Sequence, residues 1–208
     1  VEHARSLGIP VIVTDHHLPG DTLPAAEAII NPNLRDCNFP SKSLAGVGVA
    51  FYLMLALRTF LRDQGWFDER GIAIPNLAEL LDLVALGTVA DVVPLDANNR
   101  ILTWQGMSRI RAGKCRPGIK ALLEVANRDP QKLAASDLGF ALGPRLNAAG
   151  RLDDMSVGVA LLLCDNIGEA RVLANELDAL NQTRKEIEQG MQVEALTLCE
   201  KVESSRDT

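Results

Sequence analysis

The sequence predicts an α/β fold that is predominantly helical, with a partial parallel sheet and a long helix at its end. Three observations carry this reading. The apolar run Val11-Ile12-Val13 lies between Gly8-Ile9-Pro10 and Pro19-Gly20; a short β-branched run bounded by Gly and Pro reads as a buried strand. Glu2 to Leu7, followed by Gly8, reads as the last turns of a helix with a glycine stop. From Gly168 to about Ser204 there is no proline, and Leu173, Leu177, Leu180, Ile187, Met191 and Leu198 recur at helical spacing.

Helix, glycine, strand and polar loop make one step of an open α/β sheet, which places its sites beyond the carboxyl ends of strands. Asp15, His16 and His17 stand at such an end. Adjacent side chains of extended backbone alternate in direction, so the two histidines are expected on opposite sides. One can ligate a metal while the other faces substrate, with Asp15 orienting an imidazole through its second nitrogen. The plainer alternative is a set of satisfied polar groups with a structural role.

The remaining elements follow in order. Ala28-Ile29-Ile30 is a second strand, ended by Asn31-Pro32-Asn33. Ser43 is placed to cap a buried helix over Val49 to Arg62, and Gly46 and Gly48 near its start allow close approach of a phosphate or of another helix. Gly65 to Pro75 reads as a surface excursion. Asn76 caps a helix that carries Leu77, Leu80, Leu81, Val84 and Ala85 and ends near Gly87. Asp91 then falls inside an apolar stretch. A buried unpaired carboxylate is costly, so Asp91 needs a cation, a metal or a helix N-terminus, and structural and metal-ligand roles both stay open. Asn98 to Ala112 reads as a helix stopped by Gly113, and Pro117 opens another that reaches about Asn127. Ser136 caps a short turn through Phe140. Gly143 to Leu152 reads as a loop whose small residues admit a ligand while Arg145 and Arg151 offer planar forks to phosphate; a packed turn with surface arginines fits as well. Met155 to Cys164 is a short apolar helix.

Composition narrows the function. A chain of 208 residues, 47% hydrophobic, is one domain or one and a part. No stretch reaches the ~20 apolar residues of a membrane span, and no secretory signal is visible. Four widely spaced cysteines without a CxxC pair argue against a zinc ribbon or a disulfide framework and for a reducing cytoplasm. Any metal is then held by carboxylate and imidazole. The net charge of −6 speaks against a nucleic-acid binder, yet Arg109, Arg111, Lys114, Arg116 and Lys120 fall in twelve residues free of acid. Such a face suits a polyanion, and a solvated basic helix face explains it equally. With eight aromatic residues a base-stacking platform is not supported.

Val13-Thr14-Asp15-His16-His17 resembles the signature of the DHH phosphoesterase superfamily. Pro40 to Gly48, Ala85 to Leu95 and Gly143 to Leu152 are similar, in order, to the blocks of its branch of bacterial single-stranded-DNA exonucleases. The resemblance implies 5′-to-3′ hydrolysis of single-stranded DNA to 5′-mononucleotides in DNA repair and recombination, with Mn²⁺ or Mg²⁺ at a two-metal site. By motif, His16 and Asp91 resemble metal ligands, His17 the histidine near the scissile phosphate, and Asp15 the residue orienting the pair. Arg145, with Asn147 and Arg151, would touch the DNA backbone, and the basic run with Arg109 and Arg111 would extend that contact. Family members place further aspartates before the DHH triplet and a second nucleic-acid-binding domain after the long helix. Residues 1–167 are therefore expected to be the later part of a DHH catalytic domain, and 168–204 a connecting helix. Such an internal fragment is expected to expose a sheet edge, bind metal weakly and have little activity on its own. Single-strand-binding protein and a helicase are family partners, and the parent enzyme is expected to be a cytoplasmic monomer. Two other classes are a DHH phosphoesterase acting on pyrophosphate, an oligoribonucleotide or a cyclic dinucleotide, and a non-catalytic module.

Overall fold

In the computed structural model the described residues are 1–152 and 154–204, with the side chains of 151, 152 and 200–204 outside the description. Helix α1 (Glu2–Ser6) ends at Gly8, whose φ of +73° suits a residue without Cβ. Strand β1 (Ile12–Thr14) pairs in parallel with β2 (Ala28–Ile30), Ile12 opposite Ala28 and Thr14 opposite Ile30. The ladder runs past both strand ends. Glu27 N–H donates to the Val11 carbonyl, and Asp15 N–H to that of Ile30. The expectation of a buried first strand fails: Ile12 is 64% exposed. Each strand of a two-stranded sheet has one unpaired edge, and the face that carries Ile12 lies open.

Contacts divide the chain into two compact units, Val1–Cys115 with Pro130–Phe140, and Arg116–Asp129 with Ala141–Thr208. In the first, α2 (Gly46–Asp63) begins after extended Ala45 with no side-chain cap; Ser43 does not cap it, because it lies two residues before the cap position. Val49 and Phe51 of α2 join Leu44, Leu77, Leu81, Val84 and Leu102 in the core. The expected surface excursion contains a short helix, α3 (Trp66–Arg70), between left-handed Gly65 and Gly71. Asn76 caps the 3-10 turn Leu77–Leu80 by accepting from Ala78 N–H, and the chain continues as α4 (Leu81–Ala90). This helix runs through Gly87 rather than ending there. A Cβ at Gly87 would lie 2.7 Å from Val47 Cγ1, so the glycine serves close packing of α2 on α4. Asp96 caps α5 (Ala97–Arg111), which packs along α4 and stops at Gly113 with φ +70°.

Helix α6 (Pro117–Val125) belongs to the second unit, with proline in its first turn as expected. Short α7 (Ala135–Asp137) lies in the first unit, where Ala134 rather than Ser136 occupies the cap position. The stretch read as a loop is instead helix α8 (Gly143–Leu152). Pro144 falls in its first turn, where no backbone N–H is required, and Ala148 and Ala149, fully buried, let it pack against α10. Helix α9 (Ser156–Leu163) precedes α10 (Ile167–Ser204), the predicted long helix. Ala170, Ala174 and Leu177 of α10 are fully buried, whereas Ile187 is 48% and Met191 66% exposed. The apolar stripe is therefore packed only along the first part of the helix. Among the described residues no helix is long and apolar enough to cross a membrane.

Two glycines mark the closest helix contacts. A Cβ on Gly106 of α5 would strike the Leu81 carbonyl of α4, and one on Gly118 of α6 would strike the Leu161 carbonyl of α9. Gly106→Ala and Gly118→Ala are each expected to cost about 1–3 kcal/mol through overpacking. Gly190→Ala, with open space around it, is expected to stabilise α10 by about 0.5–1 kcal/mol. Urea unfolding midpoints check all three.

Candidate functional site

Strand β1 stops at Thr14, and Asp15 turns the chain. Its Oδ1 accepts His16 N–H at 2.7 Å and His17 N–H at 3.2 Å, and meets His17 Nδ1 at 2.7 Å. This is a side-chain-directed turn of the kind Asp favours. With Nδ1 protonated and donating to Asp15, His17 presents Nε2 to solvent, and its side chain is 76% exposed. The His17 imidazole, then the backbone donors of His17 and His16, hold the Asp15 carboxyl below its ordinary 3.8 against the effect of burial.

The two imidazoles do not point to opposite sides. Their centroids are 4.3 Å apart, because the turn at Asp15 ends the extended backbone on which alternation rests. Their partners differ nonetheless. His16 Nε2 lies 3.4 Å from Asp91 Oδ2, with the His16 side chain 17% exposed.

Asp91 is not the buried carboxylate that the apolar stretch suggests. It sits at the C-cap of α4 with its side chain 40% exposed. A carboxylate there adds negative charge to the negative end of the helix dipole, at a cost of about 0.3–1 kcal/mol that a cation would reverse. Val92, next in sequence, has φ +59° and is 85% exposed. A β-branched residue in the left-handed region carries roughly 1–2 kcal/mol of strain. The helix therefore ends abruptly, with Asp91 at its tip.

His16 Nε2 and Asp91 Oδ2 fit one divalent ion as two of its ligands. Donors about 2.1 Å from a common ion lie about 3.0–3.4 Å apart. Imidazole and carboxylate suit Mn²⁺, Mg²⁺ or Zn²⁺. Among the described residues no group of three or more His, Cys, Asp or Glu side chains converges on a point, so the pair is a partial ligand set. All four cysteines are free.

Asn31 and Asn33 hold the backbone of this turn, and sequence reasoning missed them. Asn31 is 5% exposed, and its Nδ2 donates to the His17 carbonyl at 2.8 Å. Its Oδ1 accepts Asn33 N–H at 2.8 Å, while Asn33 Nδ2 donates to the His16 carbonyl at 2.7 Å and to the Lys42 carbonyl at 3.1 Å. Each histidine backbone is thus held by an amide from the end of the neighbouring strand. The available signal was Asn-Pro-Asn directly after β2, because parallel pairing brings the carboxyl ends of both strands together.

The basic residues make contacts of their own. Arg109 and Arg111 occupy the last turn of α5, where Arg111 Nε donates to the Leu133 carbonyl at 3.0 Å. Arg145 and Asn147 belong to the second unit. The Arg145 guanidinium donates to Asp178 Oδ1 at 2.8 Å and to the Ala141 carbonyl at 2.7 Å, and its side chain is 12% exposed. It ties α8 to α10 instead of standing free. Asn147 is exposed. The side chain of Arg151 lies outside the described residues.

Likeness to known proteins bears on the site. Residues 1–88 match the DHH family, N-terminal domain. The chain is 98% identical over all 208 residues to the single-stranded-DNA-specific exonuclease RecJ of Escherichia coli (strain K12) and covers 36% of that protein. It is similar to a crystal structure of exonuclease RecJ bound to manganese, with TM-score 0.74 and 36% identity over 91% of this chain and 45% of that one. Likeness to RecJ in complex with Mn²⁺ from Thermus thermophilus gives a TM-score of 0.73 at 37% identity, over 91% of this chain and 27% of the other. The chain thus spans a little over a third of the length of the Escherichia coli relative.

The Asp15 turn makes a pH prediction. A carboxyl held below 3.8 in the folded chain contributes stability above its unfolded value and loses it as pH falls through the lowered folded value. In a ¹³C carboxyl titration the Asp15 midpoint is expected below 3.8, and His17→Ala should return it toward the ordinary value. An unchanged midpoint in that variant would refute the role given to the imidazole.

Proposed function

The chain belongs to the DHH family, and from that premise we propose that it supplies part of the active site of a metal-dependent 5′-to-3′ exonuclease. The substrate is single-stranded DNA and the products are 5′-mononucleotides. The observation that carries this reading is the convergence of His16 Nε2 and Asp91 Oδ2 at 3.4 Å, beside an exposed imidazole held by Asp15. In this reading His16 and Asp91 hold one divalent ion, Mn²⁺ or Mg²⁺. When bound, the ion activates water at neutral pH and offsets charge on the phosphoryl oxygens.

The other roles belong to the protein's own side chains. Asp15 keeps one proton of His17 on Nδ1, which leaves Nε2 directed outward; in the imidazolium form that nitrogen donates to a phosphate oxygen or passes its proton to it. Asn31 and Asn33 hold the two histidine carbonyls, so both rings keep their places while charge builds up on phosphate. Asn147, exposed on α8, is offered for contact with the DNA backbone, as are Arg151, Arg109 and Arg111. Arg145 serves chiefly to lock α8 onto α10, since its guanidinium is already shared between a carboxylate and a carbonyl. The segment after residue 167 is proposed as a connecting helix toward a second nucleic-acid-binding domain. Its exposed Ile187 and Met191 support that reading.

In the full-length protein, His16→Ala and Asp91→Ala are each expected to lower Mn²⁺-dependent release of mononucleotides from 5′-phosphorylated single-stranded DNA by at least ~10²-fold. Asp15→Asn, which acts through an imidazole, is expected to cost about 10–100-fold. Full activity in both alanine variants would overturn the assignment. With only two converging ligands, the 208-residue chain alone is expected to bind Mn²⁺ weakly and to release few nucleotides.

A further inference from the structure

We infer that Ser41, Asp96 and Asn99 are positioning residues that set the separation of His16 and Asp91, and so tune metal affinity without touching the ion. The inference rests on the metal reading above. His16 and Asp91 come from separate elements, a strand end and a helix end, and no backbone ladder joins them. Asp91 is followed by strained Val92 and then by Val93, Pro94 and Leu95, a stretch with few backbone hydrogen bonds of its own. What holds this stretch is side chain.

The brace has two arms. Asn99 is fully buried on the first turn of α5, and its Nδ2 donates to the Ser43 carbonyl at 2.7 Å and the Pro94 carbonyl at 2.9 Å. One amide therefore pins the segment leading into α2 to the segment leaving Asp91. Ser41, 3% exposed, donates from Oγ to Asp96 Oδ2 at 2.7 Å. The other oxygen of Asp96 accepts Asn99 N–H at 2.8 Å, so the carboxylate that caps α5 also anchors Ser41.

The same segment is bound to His16 from its other side. Asn33 Nδ2 holds the His16 and Lys42 carbonyls together. Gly46, the first residue of α2, lies against the ring, with an ideal Cβ 3.5 Å from His16 Cδ2. A continuous path of hydrogen bonds and short stretches of chain thus runs from the His16 backbone through Asn33, residues 41–43 and Asn99 to Pro94 and the Asp91 turn. A left-handed valine persists only where its surroundings over-determine the backbone, and this path supplies that constraint. Removing an arm lets the Asp91 tip relax away from His16.

The experiment is Mn²⁺ titration of the full-length protein, without substrate, following the signal of free Mn²⁺ by electron paramagnetic resonance. Wild type, Ser41→Ala, Ser41→Cys, Ser41→Thr and His16→Ala are compared, with thermal unfolding recorded for each. Ser41→Ala is expected to weaken Mn²⁺ binding by roughly 3–10-fold, less than the loss of a group bonded directly to a ligand. Ser41→Thr, which keeps the hydroxyl, should restore affinity, and Ser41→Cys, with a weak donor, should fall between. A lower unfolding temperature with unchanged Mn²⁺ affinity in Ser41→Ala would make the brace merely structural and overturn the proposal. If Ser41→Ala does not fold, Ser41→Cys decides, since wild-type affinity in that variant overturns it equally. Unchanged binding in His16→Ala would instead reject the underlying metal reading.

Discussion

The site depends on a negatively charged side chain held where a helix already ends in negative potential. Asp91 caps α4 at its carboxyl end, and the next residue is forced into the left-handed region. Both features oppose folding by amounts of order 1 kcal/mol, and the charge at the helix end is offset by a cation placed against Asp91. His16 presents Nε2 at 3.4 Å from the same carboxylate. The arrangement is therefore poised for a cation, and the surrounding hydrogen bonds serve to keep the tip from relaxing.

Side-chain amides perform most of that work. Asn31, Asn33 and Asn99 together reach the carbonyls of His16, His17, Lys42, Ser43 and Pro94. Loops that carry ligands cannot satisfy their carbonyls in a ladder, and a buried carbonyl without a donor is expensive. An amide with two donors on one nitrogen can bind two strands of chain at once. Asparagine suits the place better than a cation because it adds no charge next to His16 and Asp91. The Lys42 ammonium is turned to the Pro32 and Cys37 carbonyls instead.

The second unit is built on small residues. Ala148, Ala149, Ala170 and Ala174 are fully buried, and Gly118 meets the Leu161 carbonyl. Short side chains let the helix backbones approach closely, and the long first part of α10 supplies the common surface. Arg145 closes this packing through Asp178. Neither charge nor sequence pattern reveals this partner, which lies 33 residues away along the chain.

Periodicity and punctuation were legible in the sequence: both strands, the glycine stops at Gly8 and Gly113, Pro117 at a helix start, and the full length of α10. These follow from local rules of spacing and backbone geometry that need no partner. The candidate site at Asp15, His16, His17 and Asp91 came from resemblance to a motif, and the structure brings the four side chains close together. Gly87 was read as a stop and Gly143 to Leu152 as a loop, since glycine and proline carry the same local signal whether they break a helix or let two helices touch. Asn31, Asn33 and Asn99 looked like ordinary turn and cap residues. Only the tertiary structure decided that Asp91 is exposed at a helix tip, that the two imidazoles share one side, and that amides bind the segments carrying them. Contacts such as that of Ser41 with Asp96, 55 residues apart in the chain, leave no local pattern, because they are set by where helices pack.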